Sequence, residues 1–411
     1  MRREETPQPN REEMTQLVLS LSRLSSRQET VPVSQAVGRV LAKEARAVHT
    51  LPNRPVSSMD GIAYRYEDYL ACGGDCRGWQ QQREYEFSNT GVAVPEHLDT
   101  VSLIEDVAFD QDQRLTILRP PAGCGDNIRP AGSRLQAGQL LIAADTVLTP
   151  SHLGLLASAG LRQVAVYRRP QVAIIPTGDE LIPAGLPLPP GKNVECNSLV
   201  LSALIQSWGG QPVVYPIIPD DLEQLTNVTR QAVADYDMVV FNAGSSKGRK
   251  DFAAAVLNRI GEVYVYEVGH GPGKHTSFAL ADDNTPVLGL VGPTGGAELT
   301  ARWYLRPLIY RYLHKPLPAP ELLPVRLMEQ VKAHVPFDFY MQLVVYAEED
   351  GRYCACAGGG PGRGGAVNGS GHCPNAVLHI PGGKIFAPGE VAEVELQVPR
   401  CWLPSVTQRG Q

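Results

Sequence analysis

Strands and helices alternate along the middle of this chain, and that alternation predicts a multidomain α/β and β protein built around a central, open, mainly parallel sheet. Three observations carry the expectation. The first is the regular succession of buried-strand and amphipathic-helix patterns over 170–315. The second is a run of short apolar segments, broken by Gly, Pro and Asp, over 48–126. The third is a proline-rich link, HKPLPAPELLP at 314–324, followed by four short strand-like runs. At 411 residues the chain is long for one core, so two to four domains are expected.

In chain order, TQLVLSLSRL reads as a first helix, free of Gly and Pro, and SQAVGRVLAKEARA at 34–47 as a second. Residues 48–126 read as a small, mostly β module, with TVSLIEDVAF and LTILRP as its strands. A turn-rich stretch from 127 leads into a helix at about 150–159. From 170, QVAIIPTG, PVVYPII, MVVFNAG, VYVYEV and PVLGLVG read as strands. Between them, NSLVLSALIQSWG is a helix with Asn197 as its N-cap and Gly209 as its C-cap. The next helix is capped by Asp220 or Asp221. DFAAAVLNRIG and GAELTARWYLRPLIYRYL supply two more. In such sheets ligands bind outside the carboxyl ends of the strands. Residues 316–411 read as a small all-β domain, barrel-like. The tract GGGPGRGGAVNGSG, 358–371, suits a flexible hairpin tip better than a phosphate loop.

Composition removes several classes. Against 37 basic side chains stand 43 acidic ones, a net −6, which argues against a general nucleic-acid surface. No apolar run approaches the roughly 20 residues of a membrane helix. The N-terminal MRREETPQPNREEM lacks the apolar segment of a secretory signal, so a cytoplasmic protein is expected. Cys72 with Cys76, and Cys354 with Cys356, are the close cysteine pairs. Neither has zinc-site spacing, and reduced thiols are expected.

The stretch PNRPVSSMDGIAYR, 52–65, sets Asp60 on a turn, with Gly61 read as supplying the backbone freedom there. A carboxylate so placed holds a metal or orients a polyanion, or else serves solubility alone; both readings stand. Three sheet-edge loops then collect glycines and polar groups. They are Thr177-Gly178-Asp179-Glu180-Leu181, the loop Asn242 to Asp251 containing Gly244, Ser245, Ser246, Gly248, Arg249 and Lys250, and Gly289 to Gly296. Exposed backbone N–H groups and helix N-termini suit such loops to phosphate, although glycine also serves simply to pass from strand to helix. Together they favour a phosphorylated ligand with a metal. Lys274, in Gly271-Pro272-Gly273-Lys274, either neutralises phosphate as a point charge or is a surface lysine. His270 and His275 read as turn residues.

With these residues placed, the chain resembles the molybdopterin molybdenumtransferases, the MoeA and gephyrin E-domain group. SSMDGIAYR (57–65), NTGVAVPEHLDTVSLIED (89–106), the run 127–181 ending in Thr-Gly-Asp-Glu-Leu, NAGSSKGRKDF (242–252), GPGK (271–274) and NGSGHCPNAVLHIPGG carry the likeness, in the family's order. The resemblance implies a homodimer whose protomer has four parts. Residues 1–47 with 127–169 form a discontinuous N-terminal domain, 48–126 a β module inserted in it, 170–315 a MogA-like molybdopterin-binding domain and 316–411 the C-terminal β domain. It implies that adenylylated molybdopterin is hydrolysed to AMP while molybdate is inserted at the dithiolene, with Mg²⁺ assisting. Asp60, Glu180 and Asp251 are the implied catalytic and metal-holding acids. Thr90, Thr177, Gly178, Gly244, Ser245, Ser246, Gly248, Arg249 and Lys274 are the implied cofactor-binding residues. A molybdopterin adenylyltransferase or a molybdoenzyme apoprotein is the implied protein partner.

The likeness has departures. Arg134 stands where the family has Asp, Arg249 and Lys250 precede Asp251 where it has an acid, Ile62 replaces Tyr, and Leu290-Val291-Gly292-Pro293-Thr294 has lost both loop prolines from their positions. Lost carboxylates weaken a hard-cation site, while new cations pair directly with phosphate or oxyanion. The alternative to the enzyme is therefore a divergent, non-catalytic paralogue acting as carrier, sensor or scaffold.

Overall fold

The computed structural model describes residues 8–243, 250–357 and 373–406. It divides into two compact units, Gln28–Val166 and Met1–Arg27 with Tyr167–Gln411. Its first helix, α1 (Arg11–Leu21), opens with a capping box between Asn10 and Glu13 and buries Met14 and Val18 within the second of these units.

In the unit Gln28–Val166, the centre of one layer is β1 (Gly61–Tyr64), flanked antiparallel by β2 (Tyr85–Ser88) and β3 (Thr100–Leu103). All four residues of β1 are buried. Helix α2 (Tyr66–Ala71) follows it, and Tyr64, Tyr85, Leu115 and Cys76 form a core on one side of the sheet. A separate core gathers Val31, Leu41, Ile142, Leu148, Leu156 and Val166, the last turns of α3 (Pro150–Ser158) included. The helix expected over 34–47 does not form. A single 3-10 turn, Val33–Gln35, precedes Gly38, whose φ of 74° ends any helix. Val40 then bridges to Val147 and Leu41 to Val166, and Ala45–Arg46 pairs with Leu140–Ile142. Burial of these apolar residues against distant partners overrides the local helical preference.

The second unit contains the expected sheet. Its strands are β4 (Gln171–Thr177), β5 (Gln211–Val214), β6 (Met238–Ala243), β7 (Gly261–Val265), β8 (Ser277–Ala281) and β9 (Pro286–Leu290), in the spatial order β5-β4-β6-β9-β8-β7. The first four in that order are parallel; β8 and β7 add on antiparallel. Val172 to Thr177 are all buried, as a strand covered on both faces requires. The covering helices are α4 (Asn197–Trp208), α5 (Leu222–Asp235), α6 (Lys250–Ile260), α7 (Thr294–Thr300) and α8 (Arg306–Tyr312), the last two joined by a π-turn, Ala301–Leu305. Helix α4 ends at Gly209 as expected, and Asp221 caps α5 by accepting from the Gln224 N–H at 2.7 Å.

The C-terminal strands β10 (Leu322–Leu327), β11 (Phe339–Ala347), β12 (Tyr353–Ala357), β13 (Ala376–Ile380) and β14 (Val391–Leu396) close a five-stranded barrel in the order β10-β12-β11-β13-β14. Leu323, Val325 and Leu327 alternate into its core. Within this unit the barrel is tied to the loop ahead of β8: Gly271 N–H donates to Asp338 C=O at 2.9 Å, and Tyr340 N–H to Gly271 C=O at 2.6 Å. His270 is buried beside that join, at 1% exposure, with its Nε2 on the Tyr304 hydroxyl and its ring among Trp303, Tyr304 and Tyr340.

Candidate active site

Asp60 sits on a turn closed from several sides. The Ser57 hydroxyl donates to Met59 C=O at 2.6 Å, Gly91 N–H donates to Ser57 C=O at 2.8 Å, and Ile104 N–H to Asp60 C=O at 2.9 Å. The exposed Asp60 carboxylate accepts the Thr90 N–H at 2.6 Å. That backbone bond first, and the Thr90 hydroxyl second, hold the carboxyl below its ordinary pKa, so it is charged at neutral pH. Two residues from separate motifs thus meet at one anion. The role read for Gly61 needs correction. Its φ is not in the left-handed region; a Cβ there would lie 1.9 Å from Ser102 C=O, so the glycine permits β1 and β3 to approach. The exposed side chains of Met59 and Phe87 belong to the same turn and to the strand paired with β1.

In the other unit, the carboxyl ends of β4, β6 and β9 share one sheet edge, and antiparallel β8 begins there, which brings the 266–276 loop to the same edge. Asn242, 3% exposed near the end of β6, joins this edge into a network. Its Nδ2 donates to Val291 C=O at 2.6 Å, and its Oδ1 accepts from Asn197 Nδ2 at 2.6 Å. Asn197 Nδ2 also donates to Gly292 C=O at 2.8 Å. Asn197 is therefore the first residue of α4 and a cross-link between loops; the N-cap position expected for it falls to Cys196. Cys196 Sγ lies 3.5 Å from Thr294 Oγ1 at the start of α7. These amide contacts hold the backbone of Val291 and Gly292 against β6, where α7 begins with its N–H groups toward the edge.

The remaining expected residues fall as follows. Thr177 ends β4 at 2% exposure, and its hydroxyl makes no hydrogen bond among the described residues. Gly178 follows it, with its N–H on Ile218 C=O at 3.1 Å. Glu180 is half-buried and its carbonyl accepts from Asn193 N–H at 2.8 Å. Lys274 is half-buried with its ammonium 5.0 Å from the Phe337 ring centroid. Asp251 lies in the first turn of α6. Gly244, Ser245, Ser246, Gly248 and Arg249 lie outside the described residues. His275 pairs with Glu267 at 3.1 Å. Asp179, read within the first loop, accepts the Asp220 N–H at 3.0 Å, and Lys192, which the sequence did not single out, donates its Nζ to Asp179 C=O at 2.6 Å. Among the described residues no three His, Cys, Asp or Glu side chains assemble around a common point, and Asp60 belongs to a different unit from Glu180.

An open α/β sheet with amide-braced loops and a helix N-terminus at its carboxyl edge has the arrangement in which sheets of this class bind anionic ligands. Residues 9–160 match the family model described as MoeA N-terminal region (domain I and II), and 173–311 match that of a probable molybdopterin binding domain. A molybdopterin molybdenumtransferase of Nostoc sp. is 30% identical over 326 residues, covering 74% of each chain. That of Haemophilus influenzae is 29% identical, covering 68% of this chain and 72% of its own. The crystal structure of a molybdopterin biosynthesis moeA protein from Pyrococcus horikosii superposes with a TM-score of 0.75 at 25% identity, covering 95% of this chain and 99% of that one. The chain belongs to the molybdopterin molybdenumtransferase family.

Proposed function

We propose that this protein inserts molybdate into adenylylated molybdopterin, with release of AMP. The observation that carries the reading is the Asp60 carboxylate, exposed, ionised and oriented by Thr90 inside the matched N-terminal region. A second support is the sheet edge of the matched molybdopterin-binding domain, where Asn197 and Asn242 fix the backbone ahead of α7. In this reading the sheet-edge amides and Lys274 bind the phosphates, while Asp60, Glu180 and Asp251 supply negative charge. Magnesium would contribute Lewis acidity toward the phosphoryl group when present. A homodimer in the cytoplasm, fed by a molybdopterin adenylyltransferase and serving a molybdoenzyme apoprotein, completes the proposal.

The specific observation favouring a carrier instead is the pair of cations, Arg249 and Lys250, directly ahead of Asp251. One assay separates the two. Purified protein with Mg²⁺, molybdate and adenylylated molybdopterin is expected to release AMP, and Asp60→Ala to lower the rate about 10²-fold or more, the usual loss when a preorganised electrostatic group is removed. Retained molybdopterin binding with no AMP release would establish the carrier reading.

A further inference from the structure

The β module that carries Asp60 also holds two thiols that the proposed reaction does not use. Cys72 caps the end of α2, its N–H on Asp68 C=O at 3.1 Å. A tight turn follows, closed by Asp75 N–H on Cys72 C=O at 3.1 Å, and it returns the chain to Cys76. The two Sγ atoms lie 4.0 Å apart. A disulfide needs about 2.05 Å, so roughly 2 Å must close, within the reach of side-chain rotation at a turn. Accessibility differs between the two: Cys72 is half-buried and Cys76 is 1% exposed, packed with Tyr64, Tyr85 and Leu115.

We propose that Cys72 and Cys76 form a reversible intramolecular disulfide by exchange with a small-molecule disulfide such as oxidised glutathione. The Cys72 thiolate attacks one sulfur of the small disulfide, expelling one small thiol and leaving a mixed disulfide on Cys72. Cys76, as thiolate, then attacks Cys72 Sγ and expels the second small thiol, which takes up a proton. Two protein thiols are oxidised and one small disulfide is reduced to two thiols. Burial, with the charge of Cys72 next, pushes the Cys76 thiol up to about 12. Burial thus leaves the first attack to the more accessible Cys72. The bond would fasten the end of α2 to the turn entering Trp79, whose ring packs on Tyr64 of β1 at 5.3 Å.

Both cysteines fall in one tryptic peptide, Tyr66–Arg77, because Arg65 and Arg77 bound it. The folded protein is equilibrated in graded glutathione buffers, alkylated, digested and weighed. The expected product is this peptide unalkylated and lighter by two hydrogens, half-formed at an oxidised-to-reduced ratio on the order of tenfold lower than for the same chain in urea. Cys76→Ser is expected to accumulate one glutathione on Cys72. A peptide that takes two alkyl groups at every ratio, that stops at the mixed disulfide, or that links to another cysteine peptide overturns the proposal. So does a folded Cys76→Ser protein that takes up no glutathione.

Discussion

Beside Asp60, a glycine is required by its neighbour's backbone rather than by its own dihedral angles. A methyl group at Gly61 would meet Ser102 C=O at 1.9 Å, and backbone does not move aside as a side chain can. Gly61→Ala is therefore expected to cost about 1–3 kcal/mol of stability, the usual price of overpacking, read as a lower urea midpoint at unchanged slope. An unchanged midpoint would mean that β1 and β3 are further apart than described. The sequence marked Gly61 for the wrong reason because Asp-Gly reads as a turn, while the strand that crowds it lies some forty residues on. Asp60 and Thr90 were legible as motif residues, though their hydrogen bond was not. Asn197 was legible only as a helix start. Its actual partners, Asn242 and Gly292, are set by the register of β6 against β9, which no local pattern records. Removing the amide in Asn242→Leu leaves Val291 C=O and one of the two Asn197 Nδ2 hydrogens without their partner, the other staying on Gly292 C=O, and is expected to cost about 1–3 kcal/mol. A variant as stable as the parent would show that these groups find other partners.

At the scale of elements, the sheet strands and their helices were legible because they are long, apolar and bounded by glycine or an acid. The helix expected over 34–47 failed for a different reason: Val40, Leu41 and Ala45 are each claimed by a distant strand or bridge. Strand β8 was not read at all, being one short run, SFALA, after a glycine-rich loop. The join between that loop and the barrel carries a pH dependence. Desolvation, and then the nearby positive charge of Arg11, lower His270 from 6.5 to about 4. The unfolded chain thus takes up a proton at a higher pH than the folded one. The contribution is fully present above about 6.5 and is lost as pH falls toward 4, in total about 3 kcal/mol. Urea midpoints for the whole protein should drop over that interval, and the drop should be shallower in His270→Asn. Equal slopes in the two proteins would assign the acid sensitivity to other groups.

For the whole molecule, the question is how acids contributed by two compact units relate to a divalent cation. Asp60 comes from Gln28–Val166; Glu180 and Asp251 come from the other unit. Neither unit by itself brings three metal-ligating side chains together among its described residues. Magnesium is content with such poverty when phosphate is present, since it is usually held by one or two carboxylates and completed by substrate oxygens and water. In the sequence Arg249 and Lys250 directly precede Asp251, and cations that share its surroundings would disfavour a bare cation while favouring an anion that brings one with it. The chain's modest excess of acids, −6 over 411 residues, provides no strong field to collect cations unaided. Titration calorimetry should therefore find no Mg²⁺ binding to the free protein at micromolar concentrations, and binding once adenylylated molybdopterin is added. AMP release should stop with chelator and resume with excess Mg²⁺. Tight binding of Mg²⁺ to the free protein would mean that the acids assemble a cation site without substrate, and the cation would then belong to the enzyme rather than to the nucleotide.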